Sequence, residues 1–298
     1  MKKHLLLLFG VLLALVTGMG AYAQTTSQNF VRTRVPRTPI KTTGRLDTLT
    51  SNKDSVQSTI QYLDGLGRPL QTVQVYGSPN GQDLVQPQAY DQFGLEPIKY
   101  QPYSVSPGTP GMYQSTALSG SGGYTGSQQY SFYQTTGQSY ANTTAPYAVT
   151  VFELSPLERV TEQGAPGTAW QPYSGSISGS GHTVKLAYAN NNTTALTDTA
   201  NTRLAALYTA AVNSNGSRTL NRAGSNTAVY GANQLSVSIS KDENWVSGRA
   251  GTVEEYKDKA GRVLLKRTFN WKSGVLEILS TYYVYDDKGL LAYVLPPG

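Results

Sequence analysis

The chain contains no cysteine. That excludes disulfide staples, thiolate nucleophiles and every metal site built on sulfur. Histidine is almost as scarce, with two in 298 residues, so metal sites built from Cys and His are excluded by count. Charge is thin as well: 14% of residues are Asp, Glu, Lys or Arg. Phenylalanine occurs 6 times against 21 tyrosines. Ser, Thr, Gly, Asn and Gln fill the remaining space, a mixture that suits strands and turns better than helices. Stability must therefore come from packing and backbone pairing alone.

One apolar run stands out, residues 5–16, behind Lys2 and Lys3. It falls short of the roughly 20 residues a spanning helix needs. Ala21-Tyr22-Ala23 follows, which is the small-residue pattern of a signal-peptide cleavage site. The expectation is an exported chain (periplasmic, cell-surface or secreted) whose mature form starts at Gln24 and has no transmembrane segment. Loss of Lys2 and Lys3 lowers the formal charge from +6 to +4.

The next stretch carries Arg32, Arg34, Arg37, Lys41 and Arg45 and no acid; beyond it the two signs nearly cancel. A nucleic-acid arm is one reading of such a run. Pro36 and Pro39 exclude a continuous basic helix, and an exported chain rarely meets nucleic acid. A solvated or edge-docked extended arm is expected, with no nucleic-acid partner.

A short unit recurs: Tyr, an Asp one or two residues later, then Gly three residues on. The copies are Tyr62/Asp64/Gly67/Arg68, Tyr90/Asp91/Gly94, Tyr256/Asp258/Gly261/Arg262 and Tyr285/Asp286/Gly289. Gly67 and Gly94 are 27 apart, Gly261 and Gly289 28 apart, a period that points to stacked supersecondary units. The unit explains itself without a ligand. Tyr ends a strand, Asp bonds its own backbone two residues on, and Gly takes the positive φ that a Cβ resists. Around these corners Val73 and Val75 alternate with Gln74, and Val263, Leu265, Phe269 and Trp271 share one parity. With Lys272-Ser273-Gly274 as a turn, that pattern predicts a β-meander.

These Tyr-Asp-x-x-Gly-Arg units resemble the YD repeats of the Rhs family. In order, "YLDGLGRPLQTV", "YDQFGLEPIKYQPY", "AVTVFELSPLERVTEQGAPGTAWQP", "TVEEYKDKAGRVLLKRTF" and "STYYVYDDKGLLAYVLPP" resemble the domain of unknown function that opens Rhs-repeat proteins of Bacteroidota. The resemblance covers nearly all of the mature chain. It implies an all-β fold: a YD-repeat-like antiparallel β-meander or shell-type sheet with a long Ser/Gly/Tyr-rich insertion. The implied organisation is signal peptide 1–23, basic extended arm 24–45, β domain 46–252 and repeat-like hairpins 253–298. The implied partners are further YD repeats of a longer protein, so this chain reads as the front of a larger one. No segment corresponds to the family's C-terminal effector. Leu95 and Leu290 stand where Arg usually follows Gly, which puts an arginine contact at those two corners in doubt. The last strands, near 280–285 and 290–295, are expected to form an open edge, with Val284 as an edge position.

From 104 to 147 the chain is rich in Ser, Thr, Gly and Gln, interleaved with Tyr113, Tyr124, Tyr130, Tyr133 and Tyr140. The favoured reading is a surface insertion anchored by its tyrosines; the rival is a carbohydrate-binding or adhesive surface that takes surface glycans. Asn213-Ser214-Asn215-Gly216 is a hairpin signal, while residues 203–211 fit a helix or a strand. Catalytic residues, cofactors and metal ligands are expected to be absent. His182 has no G-x-S-x-G elbow beside a nucleophile. Glycine-rich "GLGRP" and "GSGG" lack the lysine of a phosphate loop. Carboxylate pairs such as Glu254-Glu255 or Asp286-Asp287 suit glycosidase work at the right separation, but turn bonding or solvation is the better reading. A hydrolase is therefore the least favoured class, behind a structural module and a glycan-binding one. Asp-Thr-Leu at 47, Asp-Ser-Val at 54 and Asp-Thr-Ala at 198 resemble an O-glycosylation pattern of Bacteroidota, implying modification at Thr48, Ser55 and Thr199.

The leader generates the first prediction. N-terminal sequencing of exported protein should begin at Gln24; material that begins at Met1 refutes the cleavage.

Overall fold

Alternation of apolar and polar residues decides most of this fold, because successive side chains on a strand face opposite ways. The computed structural model describes residues 27–49, 54–106, 108–197 and 201–298. The expected leader, the cleavage point Ala23/Gln24 and Thr199 lie outside them. The chain divides into two compact units, one up to Tyr147 and one from Ala148. The segment limits drawn from the sequence at 45/46 and 252/253 fall inside these units.

The first unit builds an open antiparallel sheet from β1 (Asn29–Pro36), β2 (Val56–Leu63), β3 (Pro69–Gln74), β4 (Asp83–Pro87) and β6 (Tyr103–Val105), in the order β1-β2-β3-β4-β6. β5 (Ile98–Tyr100) and two short helices, α1 (Thr43–Thr48) and α2 (Gln128–Phe132), complete it. β2 reads buried and half-buried in strict alternation. Its inward residues Ile60 and Tyr62 meet Val73, Val75, Val85 and Tyr103 in one apolar core. The basic stretch is no free arm over 29–36: it is edge strand β1, paired along its length with β2. Two arginines on this edge strand, Arg32 and Arg34, discourage further pairing.

A lone sheet has one face to hide, and residues 104–147 hide it. Ala117 joins the core cluster, and Tyr113 meets the Tyr62 ring edge-on at 5.2 Å. Buried amides hold the cover down. Gln71 and Gln114 exchange bonds, Nε2 of Gln71 to the Gln114 carbonyl at 3.2 Å and the Gln114 N–H to Gln71 Oε1 at 2.8 Å. Gln129, fully buried, donates to the carbonyls of Gln101 and Pro146 and accepts from the Tyr124 hydroxyl at 2.6 Å. The tyrosine-rich insertion thus lies over the sheet, exposed along much of its length and buried where it meets the core. Its polar side chains are buried there because each finds a partner.

The second unit forms one antiparallel sheet from β7 (Tyr147–Phe152), β8 (Val160–Gln163), β9 (Val184–Asn190), β12 (Ser236–Lys241), β13 (Thr252–Lys257), β14 (Val263–Lys272), β15 (Val275–Tyr285) and β16 (Leu291–Leu295). From β13 onward it is the expected meander, which β12 extends by one strand that the corner pattern did not mark. β10 (Tyr208–Val212) and β11 (Arg218–Arg222) make a separate hairpin through the Asn213–Gly216 turn, followed by α3 (Ala223–Asn226). Residues 208–211 are thus strand, decided by their partner strand. Two sequence expectations fail here. Trp271 shares parity with Leu265 and Phe269 yet is 57% exposed, because β14 runs out past the core. Val284 is 2% exposed; β15 lies between β14 and β16, so the edge strand is β16.

The core under this sheet carries charge. Arg249 and Glu254 form a buried ion pair at 3.0 Å. The Tyr256 hydroxyl donates to Glu254 Oε2 at 2.6 Å and accepts from Arg267 Nη1 at 3.1 Å. Burial and the neighbouring carboxylate push the Tyr256 phenol well above its ordinary range. Arg267, 1% exposed, also reaches the Ser280 hydroxyl and the Leu204 carbonyl. Each charge has directional partners, which is what makes its burial tolerable. Arg249→Ala should lower the unfolding free energy by about 3–5 kcal/mol, since Glu254 would be left buried without its cation. Urea denaturation measures it, and a loss below about 1 kcal/mol counts against the network.

Candidate functional site

The four Tyr-Asp-Gly corners are one object built four times. In each, the Asp N–H donates to the carbonyl four residues on at 2.9–3.0 Å, and the Gly N–H returns to the Asp carbonyl at 2.9–3.1 Å. One carboxylate oxygen, Oδ1, accepts two more N–H groups. At Asp64 these come from Leu66 and Arg68, at 2.9 and 2.8 Å. The same pair of bonds recurs at Asp91, Asp258 and Asp286. Gly67, Gly94, Gly261 and Gly289 have φ of +79°, +83°, +79° and +77°. This is a type I turn closed by a glycine bulge, and the ladder shifts register at Tyr62/Leu63, Tyr256/Lys257 and Val284/Tyr285 accordingly.

Since Oδ1 is spent on the loop, Oδ2 remains for a cation. Arg68 Nε meets Asp64 Oδ2 at 2.8 Å, and Arg262 Nε meets Asp258 Oδ2 at 2.8 Å. Each guanidinium then reaches the next corner. Arg68 lies over the Tyr90 ring, 4.3 Å from its centroid, and Arg262 over the Tyr285 ring at 5.1 Å. The corners are thereby coupled in pairs, 62–68 to 90–95 and 256–262 to 285–290.

The spacing of Tyr from Asp separates the members of a pair. In Tyr-x-Asp the ring falls on the core side, and Tyr62 and Tyr256 are fully buried. In Tyr-Asp the ring is only half-buried, and Tyr90 and Tyr285 each lie under the arginine of the preceding corner. The corners with Leu95 and Leu290 differ further. Asp286 does bind a guanidinium, that of Arg218 from β11, at 3.1 Å, so the doubt over an arginine there is removed by a residue distant in sequence. Among the described residues no guanidinium lies on Asp91.

Three further corners escaped the Tyr-Asp pattern. Ser78–Gln82 repeats the loop with the Ser78 hydroxyl in place of the carboxylate and Gly81 at φ +70°. Asn213–Ser217 does so with Gly216 at +81°. Glu153–Arg159 is a longer variant in which Glu158 takes φ +48°. Its Arg159 pairs with Glu153 at 2.8 Å and lies 4.2 Å over the Tyr188 ring. Carboxylate, arginine and the next tyrosine recur there without the motif, and the Glu-x5-Arg spacing was the available signal.

The remaining candidates disperse. Glu254 points into the core ion pair and its neighbour Glu255 toward Lys257 at 3.6 Å, as alternation requires. Asp286 belongs to its corner. His182 sits beside the Trp170 ring, 6.1 Å between centroids. Of the insertion's tyrosines, Tyr124 packs against Tyr100, Tyr130 and Tyr147, and Tyr133 donates to the Pro102 carbonyl. Thr48 is exposed at the end of α1, its hydroxyl on the Arg45 carbonyl, and Ser55 is half-buried. Among the described residues no cluster of three His, Asp or Glu could hold a metal, and no helix is long and apolar enough to cross a membrane.

A family model described as a domain of unknown function, DUF6443, matches residues 32–185, more than half of the chain. The chain belongs to that family. Its matched span includes the first corner pair and the Glu153–Arg159 corner. No curated protein matches the chain.

Two predictions come from the corners. Gly67→Ala should destabilise by about 1 kcal/mol, because positive φ is unfavourable with a Cβ. Gly65→Ala, in the same loop without positive φ and with open space at its Cβ, should change little. Equal melting temperatures in the two variants would contradict the assignment.

The second concerns acid. The Arg68 backbone N–H and side chain hold Asp64 below the usual carboxylate range. Asp258 is held low by Arg262 against the opposing effect of burial, and Asp286 by the Leu290 N–H and Arg218. The Arg159 guanidinium, with Ser155, pushes Glu153 from 4.5 down to about 2. Groups lowered in the folded state contribute stability that is complete above their unfolded pKa and is lost as pH falls through the folded one. Asp83, raised by burial, acts with the opposite sign. Stability should fall from about pH 4.5 toward pH 2, and Glu153→Gln should flatten that slope; an unchanged slope refutes the coupling.

Proposed function

We propose that the chain is a structural module of an exported Rhs/YD-repeat type protein, forming the start or end-cap of a β-shell, and not an enzyme. The supporting observation is the coupling of corners, in which the arginine of one corner lies over the tyrosine of the next. A device that links each unit to its successor serves an array. It does nothing for a solitary reaction centre. β16 supports the same reading. It is an edge strand bearing Leu291 and Val294 at 52% and 49% exposure, a surface that a further antiparallel strand would cover. The partner is then the next strand–corner unit of a longer chain, outside the cytoplasm.

The reading is tested by extending the sheet. A chain in which residues 253–295 are repeated directly after Leu295 should melt higher than the parent, because β16 gains a partner strand. Val294→Lys in the parent should reduce association, seen by light scattering. A parent that stays monomeric at high concentration and gains nothing from the repeat would falsify the proposal.

A further inference from the structure

The outward face of the first unit's sheet is uncharged. Across β2, β3 and β4 the register aligns Gln61 with Thr72 and Thr72 with Gln86. The neighbouring row aligns Thr59, Gln74, Leu84 and Ser104 across β2, β3, β4 and β6. Such a row of amides and hydroxyls is unusual on an exposed sheet, where Lys and Glu ordinarily serve solubility. Gln86 Nε2 is tied to the Tyr100 carbonyl at 2.6 Å. Gln61, Gln74 and Gln88 spend no side-chain amide on another described residue.

Two grooves lie on this face. One, of about 310 Å³, runs between Gln61, Thr72, Gln74, Gln86 and Gln88. The other, of about 690 Å³, is walled by the Ser78–Gln82 corner with its Asn80 and by Gln138, Ser139 and the Phe132–Tyr140 pair. Leu84 and Pro102 line both, so the two adjoin. The Phe132 and Tyr140 rings stack at 4.5 Å and 15°. No Asp, Glu, Lys or Arg lines either groove.

We propose that this face binds a neutral oligosaccharide, a function separate from the structural role above. Amides and hydroxyls in both donor and acceptor senses match sugar hydroxyls. An aromatic wall offers an apolar surface to the C–H face of a pyranose ring. Side chains in one cross-strand row stand about 4.8 Å apart, close to the length of one pyranose unit, so successive sugars meet successive strands. The absence of charge excludes phosphorylated, sulfated or uronic ligands, which demand cations. The site differs from the one the sequence suggested. Most tyrosines of the insertion are committed to packing, and the glutamines of the sheet take their place.

A printed glycan array followed by calorimetry with the tightest neutral oligosaccharide tests it, with oligogalacturonate and chitosan oligomers as charged controls. The intact chain should bind a neutral glycan and neither control. Gln61→Ala/Gln74→Ala, outward residues whose loss leaves the core untouched, should weaken binding about tenfold or more at unchanged melting temperature. Gln138→Ala should weaken it by about fivefold. No retention of any neutral glycan at millimolar concentration overturns the proposal, as does binding of the charged controls alone or binding indifferent to the double variant. A dimer that the double variant dissolves would assign the face to a second copy and overturn it equally.

Discussion

A carboxylate with two oxygens and two separate duties organises this protein. At each Tyr-Asp-Gly corner Oδ1 is consumed by the loop's own N–H groups, so the chain reverses within five residues. At three of the four, Oδ2 takes a guanidinium, from Arg68, Arg262 or Arg218. Arg68 and Arg262 arrive from their own corners and can hold a carboxylate and cover a ring together, because guanidinium is planar with donors around its edge and a face free for stacking. Without that second contact the four Tyr-Asp-Gly corners would be separate turns; with it, they are joined in two pairs.

Polar groups in the interior follow from the same composition. A chain without cysteine and with few phenylalanines must build cores from tyrosine, and each buried tyrosine brings a hydroxyl that needs a partner. Tyr62 uses the Gly111 carbonyl at 2.7 Å, Tyr103 uses Gln128, and Tyr256 uses Glu254. Buried glutamines and arginines are the counterpart of that choice. They give directional bonds that select one arrangement of layers, where an aliphatic core would rest on shape alone.

The outward face of the first sheet obeys the opposite economy. Gln61, Thr72 and Gln74 keep amides and hydroxyls where solvent reaches them, while Arg32 and Arg34 of β1 share the opposite face with Ile60 and Ser58, and Arg68 sits at the corner. Charge and neutral polarity are thus segregated on one sheet, which fits a surface with a task beyond solubility.

Local chemistry alone determined the corners. Asp followed three residues later by Gly has one low-energy way to turn, and all four glycines take the positive φ that the pattern requires. The all-β class, the meander from β13 to β16 and the hairpin at Asn213–Gly216 were legible for the same reason, since alternation and turn residues act over a few positions. Tertiary structure decided which polar residues lie inside. Gln129, Arg249 and Arg267 are of types that ordinarily stay at the surface, and they are held inside by the carbonyls of Pro146, Thr202 and Leu204, distant along the chain. It decided which residues of the 104–147 insertion are buried, Gln114, Ala117 and Gln129 among them, and that Val284 is core while Leu291 is edge. The arginine of Asp286 comes from residue 218 for the same reason. Burial is a property of neighbours, and neighbours distant along the chain leave no mark in a local pattern.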